Sequence, residues 1–463
     1  MANRTEKDSL GEIAVPEDAY YGAQTARALE NYAISGMKVH PALIESYALL
    51  KKAAAQALVE LGMLDEERGR AIVQAAGEVL SGGLREQFVV DAFHSGAGTS
   101  FHMNVNEVLA GRANEILTGR RGGSAPVHPN DHVNMSQSTN DTFPTAMRMA
   151  ARARVDRLIQ SLRALEDTLA EKAGEFGGVV KAGRTHLQDA VPIRLGQEFA
   201  AYGVAVGQTR VAIVAAAHWL EELPIGGSAV GTGLNTHPQF RFKVIDQVAR
   251  ETGIDFRPCG DLRAGMQSNF GPALMSACLR GAAIEANRIA ADLQLLASGP
   301  ATGLGEIDLP AVQPGSSIMP GKVNPSIAEM TRMVCFQVIG NDSAVSWAAA
   351  AGQLELNVMM PVIAHNLLQS TDILSNALET LRTRCIRGIT AHAERCRRYA
   401  ESSVALATVL NPRIGYDRAA AIVKEALATG RTVVEVARER SGLTPEEIEE
   451  LFDVFSMTEP RSR

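Results

Sequence analysis

Residues 155–169 read VDRLIQSLRALEDTL, and this stretch indicates the fold class. Its apolar residues recur three and four positions apart with charged residues between them, which is the spacing of a helix that buries one face. The pattern predicts a long helix that begins near Pro144 and continues through this stretch. The apolar positions are Val155, Leu158, Ile159, Leu162, Leu165 and Leu169.

Three further segments, residues 197–223, 272–298 and 342–387, have the same character and exceed the usual helix length. Long helices of this kind pack side by side, so we predict a mainly α fold with a central long-helix bundle. Several are rich in alanine on more than one face, as at 348–351. A helix that is apolar all round is buried on all sides, which favours partner subunits over a large monomeric core.

The size and charge of the chain exclude some partners. Its 463 residues predict two or three structural units around a shared core. The formal net charge of −7, without a cluster of Lys and Arg, argues against a nucleic-acid partner. At the C-terminal end, residues 444–447 read TPEE, a capping-box pattern that predicts the start of the last helix of a small terminal domain.

Neither the apolar segments nor the cysteines indicate a membrane or secreted protein. The most apolar window, residues 199–220, is interrupted by Gln208 and Arg210, and it predicts a buried core helix instead of a membrane span. No apolar stretch follows Met1, so no signal peptide is predicted. The five cysteines show no CxxC spacing, which is typical of reduced structural thiols. We therefore expect a cytoplasmic protein without membrane contact.

Four polar segments between the predicted helices are candidates for the functional site. They read GAGTS (96–100), SQSTND (136–141), GRTHLQD (183–189) and GSSIMPGKVNP (315–325). Their hydroxyl, amide and imidazole groups, with the one cation Lys322, suit a small dicarboxylate. The polar residues at 138–140 also suit a helix N-terminus, and we expect both roles. In isolation, Thr99, His186 and Lys322 would more often be a turn hydroxyl, a buried histidine and a solvated cation.

Cofactor and metal motifs are not recognisable. The sequence Gly231-Thr232-Gly233 lacks the third glycine of a dinucleotide fingerprint, and no phosphate-binding GxxxxGK[ST] run occurs. His128 and His132 have the spacing of a helical metal pair, but Pro129 lies between them, which predicts loop residues. We therefore predict no cofactor and no metal site.

The segment at 315–325 resembles the signature of the aspartase/fumarase superfamily, G-S-S-x-M-P-x-K-x-N. The other three segments resemble the remaining blocks of that superfamily in the same order, and the resemblance extends over nearly the whole chain. It implies a three-domain lyase fold, with an N-terminal domain (1–140), a central helix-bundle domain (141–395) and a small C-terminal helical domain (396–463). It also implies a homotetramer in which three subunits compose each site, with a small dicarboxylate and ammonia as its ligands.

The same resemblance implies a role for each polar side chain. Ser316 would remove a C–H proton beside a carboxylate, helped by Lys322 and by backbone N–H groups. That carboxylate would take up the charge as an aci-carboxylate, held by oriented donors. The donors would be Thr99, Ser138, Thr139 and Ser317. Lys322, Asn324 and Thr185 would hold the other carboxylate. Asn140 and His186 would face the leaving amino group, and Glu329 would pair with His186.

Two branches of the superfamily compete for this sequence. Thr139 and Leu187, near the expected substrate, and residues 87–91 and 353–357 resemble aspartases, which release ammonia from L-aspartate. Residues 128–131 and 226–238 resemble class II fumarases, which release water from malate. We give more weight to the residues near the substrate and predict the aspartase branch. The class II fumarase branch is the first alternative, and a non-catalytic relative is the second.

A few positions depart from the family pattern. Ala301 stands where arginine is usual, and Met360 stands where a charged residue is frequent. Residues 94–95 (His-Ser) and 101–102 (Phe-His), which flank the first polar segment, also differ from the pattern. These departures lie in or near the expected site, so they are candidates for altered loop stability or a variant substrate.

Overall fold

The computed structural model describes residues 2–460, and helices dominate them, as predicted. The α-helices are α1 (Ala23–Asn31), α2 (Pro41–Glu60), α3 (Glu66–Leu80), α4 (Thr99–Thr118), α5 (Thr139–Glu175), α6 (Leu195–Ala217), α7 (Phe240–Thr252), α8 (Leu262–Gln267), α9 (Phe270–Leu296), α10 (Ser326–Ala350), α11 (Met360–Arg384), α12 (Ala393–Ser402), α13 (Asn411–Ile414), α14 (Tyr416–Thr429), α15 (Val433–Arg440) and α16 (Pro445–Leu451).

The strands are short and form only pairs within the described residues. They are β1 (Asn3–Asp8), β2 (Gly11–Pro16), β3 (Val180–Thr185), β4 (Gln188–Arg194), β5 (Glu222–Leu223), β6 (Arg257–Pro258), β7 (Ile307–Asp308) and β8 (Thr390–Ala391). Strands β1–β2, β3–β4 and β7–β8 pair antiparallel, and β5–β6 pair parallel. Because no larger sheet is present among residues 2–460, packing between helices provides the core.

One predicted long helix is wrong in its bounds. The segment 342–387 is not continuous, because α10 ends at Ala350 and α11 begins at Met360. The Asn357 amide donates to the carbonyl oxygens of Ala348 and Ala349, both at 3.0 Å, and so caps the last turn of α10. Leu354 between the helices has a φ of 51°, which a helix does not allow. The other predicted long helices are confirmed within a few residues.

The chain divides into two compact units, each made of several segments. One unit comprises residues 1–160, 211–283 and 336–375, and its core includes an aromatic cluster in which Tyr47 meets the rings of Phe101 and Phe143 edge-on. The other comprises residues 161–210, 284–335 and 376–463. The three-domain division at 140 and 395 stays a prediction, because these units follow contacts and not the order of the sequence.

The C-terminal helices have a core of their own in the second unit. Small aliphatic side chains from α12 to α16, including Leu410, Ile422, Val436 and Ile448, form one buried cluster. The predicted capping box is confirmed, because the Thr444 hydroxyl accepts the Glu447 N–H and the Glu447 carboxylate accepts the Thr444 N–H.

Helix α6 is the most apolar of the long helices. By length and composition, the helical segment Leu195–Leu220 would be able to cross a membrane, a property that it shares with core helices of soluble proteins. Only 39% of its most apolar stretch is buried within the chain, so the predicted buried core helix is exposed over much of its surface. Val204 and Val211 are 62% and 60% exposed. This surface needs a partner if it is to be covered.

A buried charge cluster fixes the β3–β4 hairpin in the second unit. The Lys181 ammonium, at 1% exposure, lies 2.7 Å from Glu198 Oε1 and 3.1 Å from Glu306 Oε2. Arg184, on the same strand, pairs with the fully buried Glu306 at 2.7 Å. Burial raises the pKa of Glu198, and the Lys181 charge opposes this rise. Strand β3 is therefore held by ion pairs at two of its residues.

Replacing Lys181 tests the importance of this cluster for folding. We expect Lys181→Met to lower the free energy of unfolding by about 3–5 kcal/mol, because Glu198 loses its cation and the fully buried Glu306 keeps only Arg184. Lys243→Met is the matched control, since Lys243 pairs with Glu60 at the exposed surface and such a pair contributes about 0–1 kcal/mol. Urea denaturation measures both, and equal losses in the two variants would contradict the prediction.

Candidate active site

The first polar segment leads directly into helix α4. Gly98, with a φ of 93°, precedes the helix, and Thr99 is its first residue, with an exposed side chain. The Ser95 hydroxyl accepts the Ser100 N–H at 2.9 Å, which satisfies one of the free N–H groups of the first turn. Thr99 thus presents its hydroxyl at the positive end of a 20-residue helix.

The second segment begins helix α5. The Ser138 hydroxyl accepts the Asn140 N–H at 3.2 Å, so this serine has the capping role expected of it, at a helix that begins at Thr139 instead of near Pro144. The Asn140 side-chain amide donates to the Ala229 carbonyl at 2.8 Å. That bond fixes the amide orientation and leaves the side-chain oxygen of Asn140 as a free acceptor site.

Asp141 joins the start of α5 to the loop that follows β5. Its fully buried carboxylate accepts the N–H groups of Ser138, Gly226 and Ser228 at 2.9–3.0 Å. Burial raises the pKa of Asp141 to about 6, although these three donors and the nearby Lys51 favour the charged form. The carboxylate therefore holds residues 138–140 in place.

The first two segments meet through a buried histidine. His102, in the second turn of α4, lies 2.7 Å from the Thr139 hydroxyl through its Nδ1 atom. Its Nε2 atom lies 2.8 Å from the Lys51 ammonium. Both His102 and Lys51 are 1% exposed. The structure therefore brings Thr139 and the first turns of α4 into one polar network within the first unit.

The third segment forms the tip of the β3–β4 hairpin. Thr185 pairs with Gln188, so His186 and Leu187 are the only residues of the turn. Their φ angles are 55° and 58°, a conformation that two-residue hairpin turns require but that costs a non-glycine residue about 1–2 kcal/mol. Strain of this kind at exposed side chains is typical of functional sites.

The fourth segment is a loop before α10 that is closed at its base by two hydrogen bonds. The Gly315 N–H donates to the Lys322 carbonyl at 2.9 Å, and the Asn324 side-chain amide donates to the Gly315 carbonyl at 2.7 Å. Inside the loop, the Ser316 hydroxyl oxygen accepts the N–H groups of Ile318 and Met319 at 3.2 and 3.0 Å. Two backbone donors thus converge on the predicted base.

The remaining candidates lie near this loop in sequence. Ser317 and Lys322 have exposed side chains, and Glu329 is exposed in the first turn of α10. Within residues 2–460 of one chain, His186 and Glu329 form no ion pair, so their predicted pairing stays a prediction. The structure groups the candidates in two sets, with Thr99 and residues 138–140 in the first unit and the others in the second.

His128 precedes the single helical turn Pro129–Val133, as expected of a loop residue, whereas His132 lies within that turn, so the prediction of a loop is wrong for His132. The His128 Nδ1 atom accepts the backbone N–H groups of Asn130 and Asp131 at 3.3 and 3.1 Å. The His132 Nδ1 atom accepts the His128 N–H at 2.8 Å. Both rings use one nitrogen to fix the single helical turn Pro129–Val133, which accounts for their four-residue spacing.

Known proteins match this chain over nearly its whole length. The family described as Lyase matches residues 11–340, and the family described as Fumarase C C-terminus matches residues 406–459. An aspartate ammonia-lyase of Bacillus sp is 46% identical over 99% of this chain and 98% of its own. The chain belongs to the aspartase/fumarase superfamily of lyases. A class II fumarate hydratase of Halobacterium salinarum is 49% identical over 98% of this chain and 97% of its own.

The fold of the chain agrees with its membership of the superfamily. The crystal structure of a class II fumarase from Schistosoma mansoni superimposes with a TM-score of 0.97 at 38% identity and covers 100% of both chains. The predicted lyase fold is therefore confirmed. Identity alone does not separate the two branches, because the values of 46% and 49% are nearly equal.

Sequence reasoning missed the buried network around Thr139. Lys51 is the residue that a pattern would have revealed, because it lies four residues after Tyr47 and seven before Leu58, on the apolar face of α2. A lysine at a core position requires buried acceptors. Asp141 lies among other polar residues, and His102 stood out only as a departure from the family pattern, so neither indicated a buried contact.

Gly315 is the residue on which the shape of the 315–325 loop depends. A Cβ atom there would lie 2.4 Å from the Lys322 carbonyl oxygen and 2.9 Å from the Asn324 nitrogen. We expect Gly315→Ala to open the base of the loop, so amide hydrogens in residues 315–322 exchange at least ~10-fold faster while the unfolding midpoint stays unchanged. Gly77→Ala, in an uncrowded helical position, is the control. Hydrogen-exchange mass spectrometry measures the exchange rates of both variants. Unchanged exchange in Gly315→Ala would refute the role of Gly315 in closing the loop.

Proposed function

We propose that the protein is an aspartate ammonia-lyase, which converts L-aspartate reversibly to fumarate and ammonia. The observation that carries the proposal is the pair of backbone N–H groups on the Ser316 hydroxyl, at 3.2 and 3.0 Å. A serine is a weak base unless its alkoxide is stabilised, and backbone donors that converge on the oxygen supply this stabilisation. Superfamily membership supports the reaction type.

Ser316 removes the proton from Cβ of aspartate in this mechanism. The electrons move into the adjacent carboxylate, which becomes a doubly charged aci-carboxylate, and the Ser316 alkoxide becomes a hydroxyl by taking up the proton. Lys322, six residues further along the same loop, adds a positive charge that favours the alkoxide. The electrons then return, the Cα–N bond breaks, and fumarate and ammonia are formed.

The aci-carboxylate needs donors that are already oriented. Thr99, Ser138 and Thr139 lie at the N-termini of α4 and α5, where hydroxyl and free N–H groups coincide with the positive ends of helices. With Ser317 they stabilise the charge that develops, by about 2.7–4 kcal/mol for each well-placed donor. Lys322, Asn324 and Thr185 hold the second carboxylate, which stays a spectator.

The leaving group faces Asn140 and His186. Because the Asn140 side-chain nitrogen is engaged with the Ala229 carbonyl, its oxygen is the atom that meets the substrate, and an acceptor suits a protonated amino group. Glu329, from another copy of the chain, pairs with His186 and orients its ring. Ammonia leaves readily from the carbanion-like intermediate, so no strong acid is assigned.

Hydration of fumarate is the second candidate function. The 49% identity to the Halobacterium salinarum class II fumarate hydratase favours it, as does the sequence of residues 128–131. Fumarate hydration would use the same base and the same carboxylate donors, with water in place of ammonia. The two functions therefore differ only at the leaving-group side of the site, near Asn140 and Leu187.

We also propose that the active protein is a homotetramer with sites composed by several copies. Two long helices each carry a stripe of exposed small or apolar residues with alternating spacings of three and four, the pattern of a helix–helix seam. The stripe on α6 is Ala201, Val204, Gln208, Val211 and Ala215, of which Gln208 is the polar member. The stripe on α10 is Met333, Phe336, Gly340, Ser343, Trp347 and Ala350. Helices of neighbouring copies that pack on these stripes would cover them and bring the loops of different copies together.

The first experiment tests the substrate, by asking whether the protein consumes fumarate only with ammonium or in water alone. We expect loss of fumarate only when ammonium is present, and formation of fumarate from L-aspartate but not from L-malate. The absorbance of fumarate measures both directions. Consumption without ammonium, together with activity on malate, would establish the hydratase instead, and inactivity in every combination would remove both functions.

The base is tested by Ser316→Ala. We expect kcat to fall about 10²–10⁴-fold, because the proton-accepting oxygen is lost while the carboxylate donors remain. Ser402→Ala, at an exposed serine of α12, is the matched control and should keep full activity. Unchanged circular dichroism of both variants excludes unfolding as the cause. Turnover by Ser316→Ala within a few-fold of the wild type would remove Ser316 as the base.

A charged substitution in the α10 stripe tests the proposed packing between copies of the chain. We expect Trp347→Glu, at a side chain that is 80% exposed in the single chain, to break the tetramer into smaller species and to abolish activity. Leu427→Glu, at a 67% exposed residue of α14 outside the stripes, should leave the tetramer intact. Sedimentation velocity distinguishes the species. A tetramer that survives Trp347→Glu would rule out this seam, and a monomeric wild type would rule out the assembly.

A further inference from the structure

The buried Lys51 ammonium lies beside three side-chain atoms, each of which is able to accept a hydrogen bond. Its ammonium is 2.8 Å from His102 Nε2, 3.0 Å from Asn134 Oδ1 and 3.0 Å from Gln137 Oε1. Lys51 is 1% exposed, so its ammonium is shielded from solvent by the protein around it. Three partners match the three N–H groups of an ammonium.

The orientation of both amides is fixed by the backbone around them. The Asn134 side-chain nitrogen donates to the Gln137 carbonyl at 3.3 Å. The Gln137 side-chain nitrogen donates to the carbonyls of Val133 and Met135 at 3.2 and 3.0 Å. Since the nitrogens are engaged in this way, the amide oxygens face Lys51 and accept from it.

This arrangement determines the tautomer of His102. An ammonium that donates to Nε2 requires that atom to be without hydrogen, so the neutral ring carries its hydrogen on Nδ1. Burial, with the adjacent Lys51 charge, lowers the pKa of His102 well below its usual value, which keeps the ring neutral. The Nδ1–H group then donates to the Thr139 hydroxyl oxygen at 2.7 Å.

We propose that Lys51 and His102 are positioning residues that direct the Thr139 hydroxyl hydrogen toward the substrate carboxylate. Because the Thr139 oxygen accepts from His102, its own hydrogen is free to be donated. The inference rests on the proposed function to the extent that Thr139 must contact a dicarboxylate. It does not depend on whether the leaving group is ammonia or water.

If the hydrogen bonds between Lys51, His102 and Thr139 ran in the opposite direction, the effect of removing His102 would differ. A neutral Lys51 would accept from His102 Nε2–H, and His102 Nδ1 would then accept the Thr139 hydrogen. Burial lowers the pKa of Lys51 well below its ordinary value, whereas the charge of Asp141 from α5 raises it. In that reversed arrangement, removing His102 would free the Thr139 hydroxyl, and dicarboxylate binding would become tighter.

Two substitutions of His102 test its two contacts separately, the one with Thr139 through Nδ1 and the one with Lys51 through Nε2. His102→Asn places an amide N–H near the Nδ1 position and so keeps the donor to Thr139, but does not reach Lys51. His102→Gln reaches toward Lys51 with an acceptor and loses the donor to Thr139. The matched pair removes one contact at a time with similar polarity and size.

Succinate, a dicarboxylate without a leaving group, is the probe, and calorimetry on the full-length assembled protein measures its binding. We expect His102→Gln to weaken binding about 10-fold and His102→Asn to weaken it less than about 3-fold, as expected for one lost hydrogen bond. In a Thr139→Val background, His102→Gln should have no further effect. Equal losses in both His102 variants, or tighter binding of His102→Gln, would overturn the proposal.

The wild-type protein provides a test that does not depend on a variant folding. Nitrogen NMR of the protein labelled with ¹⁵N-histidine distinguishes the tautomers, and we expect His102 to carry its hydrogen on Nδ1. A hydrogen on Nε2 would refute the proposed direction. If the wild type binds succinate as expected but consumes no fumarate under any condition, the proposed reaction fails while this positioning role stands. If it binds no succinate, the contact of Thr139 with a carboxylate fails, and the proposal with it.

Discussion

The buried carboxylate of Asp141 is the interaction on which the first half of the candidate site depends. It accepts three backbone N–H groups from two separate segments, and it lies in the first turn of the 37-residue helix α5. A buried carboxylate is costly unless it is fully hydrogen-bonded, so this contact tolerates little displacement of either segment. The contacts of Asp141 therefore also fix the positions of residues 138–140. The long helix and the polar side chains at its start are therefore fixed by one group.

The loop at 315–325 differs from this first half of the site, because the proposed base Ser316 would have to be reactive and not only well placed. The tight base at Gly315 forces the chain to turn, and the turn directs two N–H groups at the Ser316 oxygen. The same donors that stabilise an alkoxide lower the free-energy cost of removing the hydroxyl proton. The glycine and the serine therefore act together, and this explains why the signature extends over a whole loop instead of two isolated residues.

The sequence predicted the fold class and the four polar segments, because helical periodicity and a local signature are both readable along one chain. It failed where a distant contact decides the outcome. The break between α10 and α11 depends on Asn357 reaching back to the end of α10, and apolar periodicity carries no trace of that bond. The partner of Thr139 was missed for the same reason, since His102 is a departure from the family pattern whose effect depends on its burial beside Lys51.

Exposure of the candidate residues in the single chain is itself informative. Thr99, His186, Ser317 and Glu329 are all exposed, yet a carbanion-like intermediate survives only where water is excluded and donors are fixed. A single copy therefore lacks the environment that the proposed reaction requires. The stripes on α6 and α10 leave apolar surface uncovered along the same chain, so one event, the packing of further copies, would bury both. We infer that assembly and catalysis are coupled in this protein, because Ser317 and Glu329 lie just before α10 and in its first turn, on the helix that carries one of the exposed stripes.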